Sequence, residues 1–421
     1  MNHDVQRLDP RRLGRTLDDL AEIGNRYSGT PGEAQARDYL LERFGQLGLT
    51  NVRLEAFPYL GASPARATCS VVGDGTEIEC HFLQYTTPGP VSGEAIYLGE
   101  AGEADFRRLE RGGTELRGSV VLAHSMFPFD LCTQLTDRGI AGFVHICETP
   151  DGIVGNFAGA LYPPPLSAPW QGRPVPYTGV TIGHAAGRVL ISTLTAGPVE
   201  IRLSHDATYA EATAHNVVGE IPAADDGGDP GHVIVCAHYD SQAEGPGIFD
   251  NGTGLGSLLE CVRVLSESRR RRRIVFIASA AEEIGVWGAT AYAHSHGDEL
   301  DDAAGMVNLD GVASAYPAQR EIWSAHAGMA ELAARTAREM GWVPDRVLNQ
   351  RSTFGDHAPF GDVGVPSCLI WRPDYPYYHS RGDVRELVDE AVVAETAAVS
   401  ASLIGRLSQG ADVHGTTGRA R

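Results

Sequence analysis

Apolar runs alternate with helical patterns over residues 206–410. The runs NVVGEI, VIVCAH, IVFIAS, GMVNLD and SCLIW predict strands. Apolar residues at helical spacing predict helices over Thr253–Ser268, Trp287–His294, Met329–Met340 and Val384–Leu407. Strands that alternate with helices form a sheet that is parallel at its centre and covered on both faces. The pattern therefore predicts the α/β fold class, with a mixed, centrally parallel sheet sandwiched by helices.

The first sixty residues continue this pattern. Helical spacing of apolar residues predicts helices over Leu13–Ile23 and Glu33–Leu47, and Gly48 is a natural stop for the second. Alternation of apolar and polar residues predicts a strand over Asn51–Tyr59. We expect residues 1–60 and 206–410 to form one discontinuous domain.

Residues 61–205 have a different pattern. The short β-like runs ATCSVV, EAIYLG, SVVLAH, GFVHIC and VPYTGVTI are separated by Gly and Pro, with one helical pattern over Asp130–Arg138. This composition predicts a separate β-rich domain inserted into the first. Residues 411–421 are polar and are predicted to be a disordered tail.

The charge of the chain narrows the classes of partner. The 421 residues carry a formal net charge of −20. Nucleic acid and anionic membranes attract clustered positive charge, so neither is expected as a partner. The run of five arginines at Arg269–Arg273 is interpreted as the solvated end of a helix, because no second basic cluster accompanies it.

Cysteine usage and apolar run length predict the compartment. The seven cysteines are odd in number and include no C-x-x-C, which favours free thiols in a reducing cytosol. The N-terminal residues show no signal-peptide pattern, and no apolar run approaches the ~18 residues of a membrane span. We expect a cytoplasmic protein without a membrane segment.

Acidic and histidine residues follow the predicted strands at their carboxyl ends. His238 and Asp240 close the run VIVCAH, and Asp250 lies in a Gly-rich loop before the next helix. Open α/β sheets place their functional sites at this edge. The later strands are followed by Glu282, Glu283, Asp310 and His379. Each residue alone also has a structural explanation, such as a helix N-cap for Asp250.

The combination favours a metal site. Glu282 and Glu283 are adjacent where burial is expected, and like charges that lose hydration are costly unless cations compensate them. Imidazole and carboxylate ligands together suit zinc, and one carboxylate can bridge two metal ions. Adjacent residues point in different directions, so one glutamate can bind metal while the other faces a water molecule as a general base.

The motifs HYDS, GPGIFDNGTG, AAEE, NLD and YYHSRGD strongly resemble the two-zinc aminopeptidase family. That family includes bacterial leucyl aminopeptidases, glutamate carboxypeptidase and the non-catalytic transferrin receptor ectodomain. The segments RYSGTPGEAQARDYLLERFGQLGL and NVVGEIP are similar to it as well, so the resemblance covers roughly residues 20–60 and 206–405. It implies a phosphorylase/hydrolase-like sheet and two Zn²⁺ ions per chain.

The resemblance also implies a role for each residue. One zinc ion would be held by His238, Asp250 and Asp310, and the other by Asp250, Glu283 and His379. Glu282 would be the general base and acid, Asp240 would orient His238, and Tyr378 matches an oxyanion-stabilising tyrosine of some secreted relatives. The peptide bond between Asp250 and Asn251 would be cis.

Two further features bear on the resemblance. The inserted segment resembles a protease-associated domain through LRGSVVLAH and GIAGFVHI. The family often has Ser-Asp-His where this chain has Gly355, Asp356 and His357, so any role of that serine is in doubt.

The expected function is zinc-dependent exopeptidase activity. The resemblance favours an aminopeptidase that hydrolyses the N-terminal peptide bond with a metal-bridging hydroxide. A carboxypeptidase or an N-acyl hydrolase of a small metabolite on the same site is the alternative, so the substrate is a peptide or a small amide. A non-catalytic binding protein is less expected, because every implied ligand and Glu282 are present.

Overall fold

The computed structural model describes residues 8–63, 65–125, 131–147, 174–224, 231–316, 319–352, 354–373 and 375–413. Within these ranges the chain forms two eight-stranded sheets. The first is built from residues on both sides of the predicted insertion, and the second from residues within it.

The first sheet is mixed and parallel at its centre. Its strands lie in the order β1 (Thr50–Ala62), β10 (Tyr209–Ile221), β12 (Arg273–Ser279), β11 (His232–His238), β13 (Ala303–Leu309), β16 (Ser367–Trp371), β14 (Glu321–Ser324) and β15 (Arg346–Asn349). The four strands from β12 to β16 are mutually parallel, and antiparallel pairs join them to β10 on one side and β14 on the other. The prediction of a mixed, centrally parallel sheet is confirmed.

Helices cover both faces of this sheet, because its central strands are buried on both faces. Val235 and Phe276 pack into the core beneath one group of helices, whereas Ile234 and Val275 face the other group. The first face is covered by α1 (Pro10–Ile23), α2 (Pro31–Gln46), α6 (Thr253–Ser266), α9 (Ala327–Glu339) and α11 (Glu390–Ser408). The second is covered by α7 (Trp287–Ser295), α8 (Gly297–Leu300) and α10 (His357–Asp362).

The second sheet has its own apolar clusters. Its strands lie in the order β3 (Glu77–Ile78), β2 (Ala67–Val71), β9 (Glu200–His205), β5 (Val91–Gly99), β6 (Val120–His124), β7 (Gly142–Ile146), β8 (Thr178–Ile182) and β4 (Cys80–Phe82). Strands β5 to β8 are parallel, and the other pairings are antiparallel. Each of the five predicted β-like runs contains a strand.

The second sheet also carries helices that the sequence pattern did not predict. Besides α4 (Cys132–Asp137), which lies within the predicted helical segment, the structure has α3 (Glu103–Arg111) and α5 (His184–Ala196). Helix α3 buries only Phe106, and α5 only Gly187 and Leu190. Such narrow buried stripes give little apolar periodicity. Within the described residues, the segment therefore contains three helices in addition to its eight strands.

Two predicted boundaries near the C-terminus also change. Helix α11 begins at Glu390 rather than Val384, because Asp389 caps it by accepting the backbone N–H of Ala391. Residues 414–421 of the predicted tail lie outside the described residues, whereas Val413 is buried in the core. Helix α11 has the length and composition of a membrane span, but 67% of that window is buried inside the protein.

Side-chain contacts join the two sheets close to the loops that follow the first sheet. His81 Nδ1 of β4 lies 3.1 Å from Glu244 Oε1, and Glu244 Oε2 accepts from Arg381 Nε at 2.8 Å. Tyr27 donates to the side chain of Gln84. Glu244 therefore connects the inserted segment to two loops of the first sheet.

The cysteines and the arginine run have structural surroundings. The seven cysteines, which all lie among the described residues, form no disulfide, and six of them are buried. In the arginine run, Arg270 and Arg272 donate to backbone carbonyls, including that of Leu265 in the last turn of α6. Arg273 pairs with Glu220 and Glu299. These contacts support the structural interpretation of the run.

Candidate metal centre

The candidate ligands meet because the parallel strands end at one edge of the first sheet. His238 is the last residue of β11, and Asp310 directly follows β13. Glu283 lies in the loop after β12, and His379 in the loop after β16. Asp250 lies in a kinked turn just before α6, where its backbone angles are not helical.

The five side chains form two groups that share Asp250. In the first, His238 Nε2 lies 3.1 Å from Asp250 Oδ1 and 3.4 Å from Asp310 Oδ1. In the second, His379 Nε2 lies 3.1 Å from both Asp250 Oδ2 and Glu283 Oε2. Within each group the three potential ligand atoms lie within 4.8 Å of one another. The two oxygens of Asp250 thus face different groups, which is the geometry of a bridging carboxylate.

The turn that carries Asp250 is held from several sides. The peptide bond between Asp250 and Asn251 is cis, as the resemblance implied. Asp383 accepts the backbone N–H groups of Phe249 at 2.7 Å and Asp250 at 3.0 Å. Asn251 donates to the carbonyl of Leu309 at 2.8 Å, which ties the turn to the strand before Asp310. The Asn251 side chain therefore links the turn that carries Asp250 to the strand end that precedes Asp310.

Asp240 has wider contacts than the resemblance implied. His238 Nδ1 lies 3.2 Å from the Asp240 carbonyl oxygen and 3.5 Å from carboxylate Oδ1. The carboxylate also accepts the backbone N–H groups of Glu282 and Glu283, both at 3.1 Å, and the hydroxyl of Ser28 at 3.2 Å. Asp240 therefore fixes the loop that presents both glutamates, in addition to facing His238.

Two supporting residues escaped the sequence analysis. Gln242 Nε2 donates to Glu283 Oε2 at 2.9 Å. The fully buried Arg26 donates to the carbonyls of Tyr239 and Gly247, both at 2.8 Å, and so holds the loop before Asp250. Arg26 opens the segment RYSGTPG, but only the folded chain brings it to this loop. Gln242 is a polar loop residue with no distinguishing pattern in the sequence.

Burial and crowding shift the pKa values of the acids. Burial raises the pKa of Glu283 to about 7 and that of Glu282 well above its ordinary range. Burial and the nearby Asp250 carboxylate raise the pKa of Asp310. Burial acts against Asp250 in the same way, but hydrogen bonds from the two histidines hold its pKa below the ordinary value.

The histidines show the opposite balance. Burial disfavours their charged forms, but the surrounding carboxylates outweigh it. They raise the pKa of His238 well above its ordinary range and the pKa of His379 to about 10. Without metal, the carboxylates outnumber the histidines, and the raised pKa values indicate that the site retains protons.

The donor set fits a pair of divalent cations. Glu283 Oε1 is buried without a hydrogen-bond partner, so one carboxylate oxygen lacks any donor. Buried charges of this kind are stable when they are paired or coordinate a metal. Two imidazoles and three carboxylates, one of them shared, would offer each ion three protein ligands. Catalytic zinc sites also have three protein ligands, and their fourth position is taken by a water molecule or a substrate.

Tyr378 contacts the candidate ligand His379, and Gly355 lies against the buried His357. The ring of Tyr378 stacks on His379 with centroids 3.7 Å apart, and burial raises the pKa of its hydroxyl well above the ordinary range. Gly355 has a φ of +75°, and a Cβ atom there would lie 3.1 Å from His357 Nδ1. The glycine at the usual serine position thus adopts a left-handed conformation against a buried histidine.

One segment of the chain that matches a known family contains the whole candidate centre. The supporting residues Arg26 and Ser28 lie before this segment. Residues 216–404 match the model described as Peptidase family M28. This segment of the chain is therefore similar to peptidase family M28. Every candidate ligand and the general-base candidate Glu282 lie within the matched segment.

Curated relatives are similar to this chain over part of their length. Aminopeptidase YwaD of Bacillus subtilis is 32% identical over 193 residues, which cover 43% of this chain and 42% of that protein. The probable leucine aminopeptidase 2 of Aspergillus oryzae is 27% identical over 320 residues, which cover 74% of this chain. The chain spans 60% of the length of that fungal protein.

Solved structures share the fold over nearly the whole chain. An aminopeptidase from Aneurinibacillus sp. strain AM-1 superimposes with a TM-score of 0.75 at 23% identity, covering 98% of this chain and 97% of that one. The zinc aminopeptidase BSAP of Bacillus subtilis gives a TM-score of 0.69 at 21% identity, with 94% of each chain covered. Both sheets therefore belong to an arrangement already seen among aminopeptidase structures.

Proposed function

We propose that this chain is a member of peptidase family M28 and acts as a zinc-dependent aminopeptidase that removes residues from the N-terminus of peptides. The observation that carries the proposal is the shared carboxylate of Asp250, whose two oxygens face two separate groups of metal-ligand side chains. The names of the relatives support the choice of zinc and of aminopeptidase chemistry.

The proposed ligands follow the two groups. His238, Asp250 and Asp310 would hold one zinc ion, and Asp250, Glu283 and His379 the other. When bound, the two ions supply Lewis-acid stabilisation and lower the pKa of water at the site. The residues of the chain would then align the scissile carbonyl with that water and exclude bulk solvent.

Glu282 is the proposed proton carrier. Its backbone N–H is fixed by Asp240, and its side chain is not one of the grouped ligands. Burial raises the pKa of Glu282, which suits a group that accepts a proton from water and returns it to the leaving amine. The Tyr378 hydroxyl is proposed to donate to the developing oxyanion at the substrate carbonyl.

The inserted segment is proposed to be a protease-associated domain over residues 61–205, within a catalytic domain of residues 1–60 and 206–410. Its separate sheet and clusters support this division. The contact between His81 and Glu244 would set its position beside the metal centre.

A substrate panel combined with one substitution tests the function. The zinc-loaded protein should cleave aminoacyl nitroanilides and leave N-acyl amino acids intact, and the reverse preference would assign the alternative amide-hydrolase class. Glu282→Gln should lower kcat by about 10²–10⁴-fold, the usual contribution of general acid–base catalysis. Its zinc content should equal that of the unmodified protein.

Glu331→Gln is the matched control, because Glu331 is an exposed residue of α9. This variant should retain full activity. Cleavage of the nitroanilides by Glu282→Gln at the unmodified rate would remove Glu282 from the mechanism.

A further inference from the structure

A cavity lined by arginines lies between α1, α2 and α6. Its volume is about 220 Å³, and its polar lining consists of Arg12, Arg15, Thr16, Asp19, Arg43, Glu260 and Arg263. At ~30 Å³ per molecule of liquid water, that space corresponds to about seven waters. The cavity is therefore large enough for a small organic molecule.

The two carboxylates of the lining, Asp19 and Glu260, do not neutralise all four arginines. Asp19 Oδ2 accepts from the Tyr39 hydroxyl at 2.9 Å. Arg263 forms a close pair with Glu260, at 2.8 Å between Nη2 and Oε2. The pair between Arg12 and Asp9 is looser, with 3.8 Å between Arg12 Nε and Asp9 Oδ2, and both side chains are about half exposed. Among the described residues, no carboxylate lies within 4.0 Å of the guanidinium groups of Arg15 or Arg43. The Nε atom of Arg43 is buried without a hydrogen-bond partner.

Helix stability does not explain the arginines of α1. Cations are favourable at the carboxyl end of a helix, which accounts for Arg43 and Arg263 in the last turns of α2 and α6. Arg12 and Arg15 instead lie in the first turns of α1, where the helix dipole disfavours positive charge. Four arginines line this one cavity in a chain with a formal net charge of −20. This local excess of positive charge favours an anion as the ligand of the cavity.

The geometry of guanidinium groups narrows the class of anion. A carboxylate has two oxygens and satisfies one bidentate guanidinium. A phosphate group offers oxygens in several directions and can accept from arginines on different helices at once. The cavity also exceeds the space that one phosphate group needs, so the remainder of the ligand would occupy it.

We propose that the cavity between α1, α2 and α6 binds a small molecule that carries phosphate groups. This site is separate from the metal centre. Asp250 precedes the first turn of α6, whereas Arg263 lies in its last turn. At ~1.5 Å of rise per residue, the two ends are about 20 Å apart.

Calorimetric titration of the zinc-loaded protein with inorganic pyrophosphate tests the proposal. Saturable binding is expected for the unmodified chain. The double variant Arg15→Gln/Arg43→Gln should raise the Kd at least tenfold, and the matched control Arg335→Gln/Arg338→Gln on α9 should leave it unchanged. Citrate and sodium chloride at equal ionic strength should give no saturable heat.

The outcomes separate this site from the metal centre. Binding of pyrophosphate that survives in Arg15→Gln/Arg43→Gln would be located at the metals and would overturn the proposal. Equal loss in both double variants, equal affinity for citrate, or no saturable binding would overturn it as well. Peptidase activity and zinc content of the cavity variant should match those of the unmodified chain, so a failure of the aminopeptidase proposal would be seen separately.

Discussion

Single residues at the candidate centre owe their positions to contacts that the sequence alone does not show. Gln242 donates to Glu283, and Asp383 accepts the backbone N–H of Asp250. The ligand types themselves were predictable, because acids and histidines followed apolar strands and matched family motifs. Their supporting contacts were not, because Arg26 and Gln242 reach the site through loops whose paths depend on the whole fold.

Gln242→Leu should weaken zinc binding without unfolding the chain. The substitution removes the donor to Glu283 Oε2 and leaves that carboxylate less firmly oriented. Loss of such an outer contact typically reduces metal affinity by about 10–100-fold. Competition with a zinc chelator measures the change, and Gln46→Leu on the exposed end of α2 is the control. Equal zinc affinity in the two variants would contradict the role of Gln242.

Gly355→Ala should be more destabilising than Gly364→Ala. Both glycines have positive φ, so both substitutions incur the ~1 kcal/mol or more that a left-handed conformation costs. At Gly355 the new Cβ also lies 3.1 Å from His357 Nδ1, whereas no atom lies within 4 Å at Gly364. Urea unfolding measures the free energy of unfolding of each variant. A smaller loss in free energy of unfolding for Gly355→Ala than for Gly364→Ala would contradict this prediction and would show that His357 shifts without cost.

At the scale of elements, strand prediction succeeded where burial was complete. Strands β11, β12 and β13 are buried throughout except at Arg273, and their positions agree with the sequence pattern within two residues. Helices α3 and α5 and the short strands β14 and β15 were missed. The two helices bury few side chains and the two strands have only four residues each, so tertiary contacts rather than local periodicity determine their conformation.

The start of α2 predicts a pH-dependent contribution to stability. Thr30 caps the helix, and the buried Glu33 reaches back to accept the N–H of Gly29 at 2.6 Å. Burial raises the pKa of Glu33 from 4.5 to about 7, so the folded state binds the proton more tightly than the unfolded state. Its contribution to stability should therefore fall as pH rises from about 4.5 to 7.

Glu33→Gln removes this titration. The difference in free energy of unfolding between the unmodified chain and Glu33→Gln should shift in favour of the variant as pH rises through this window. Urea unfolding at several pH values measures it. A difference that does not change with pH would show that the folded-state pKa of Glu33 is ordinary.

At the scale of the whole molecule, the metal ions are expected to stabilise the edge where the strands converge. Burial raises the pKa values of Glu283 and Asp383 to about 7 and that of Asp356 to about 6. Each folded-state value exceeds the unfolded one, so each contribution declines as pH rises from about 4 to 7. The raised pKa of His379 acts in the same direction above its unfolded value of 6.5.

Chelator-treated protein should therefore lose thermal stability as pH rises from about 5 to 8. Added zinc should restore it most strongly at the upper end, because the ligands bind metal in their deprotonated forms. Thermal unfolding with and without zinc measures both trends. A zinc-induced increase in Tm that shrinks with rising pH would contradict the assignment of Glu283 and His379 to the metal centre.

The central claim concerns one carboxylate that serves two metal ions. Metal analysis of zinc-reconstituted protein tests it most directly, with the unmodified chain compared with Asp310→Asn and Asp250→Asn. The account predicts two zinc ions per chain in the unmodified protein, about one in Asp310→Asn, and fewer than one in Asp250→Asn because both groups lose a ligand. A single zinc ion in the unmodified chain, or equal zinc content in the two variants, would contradict it.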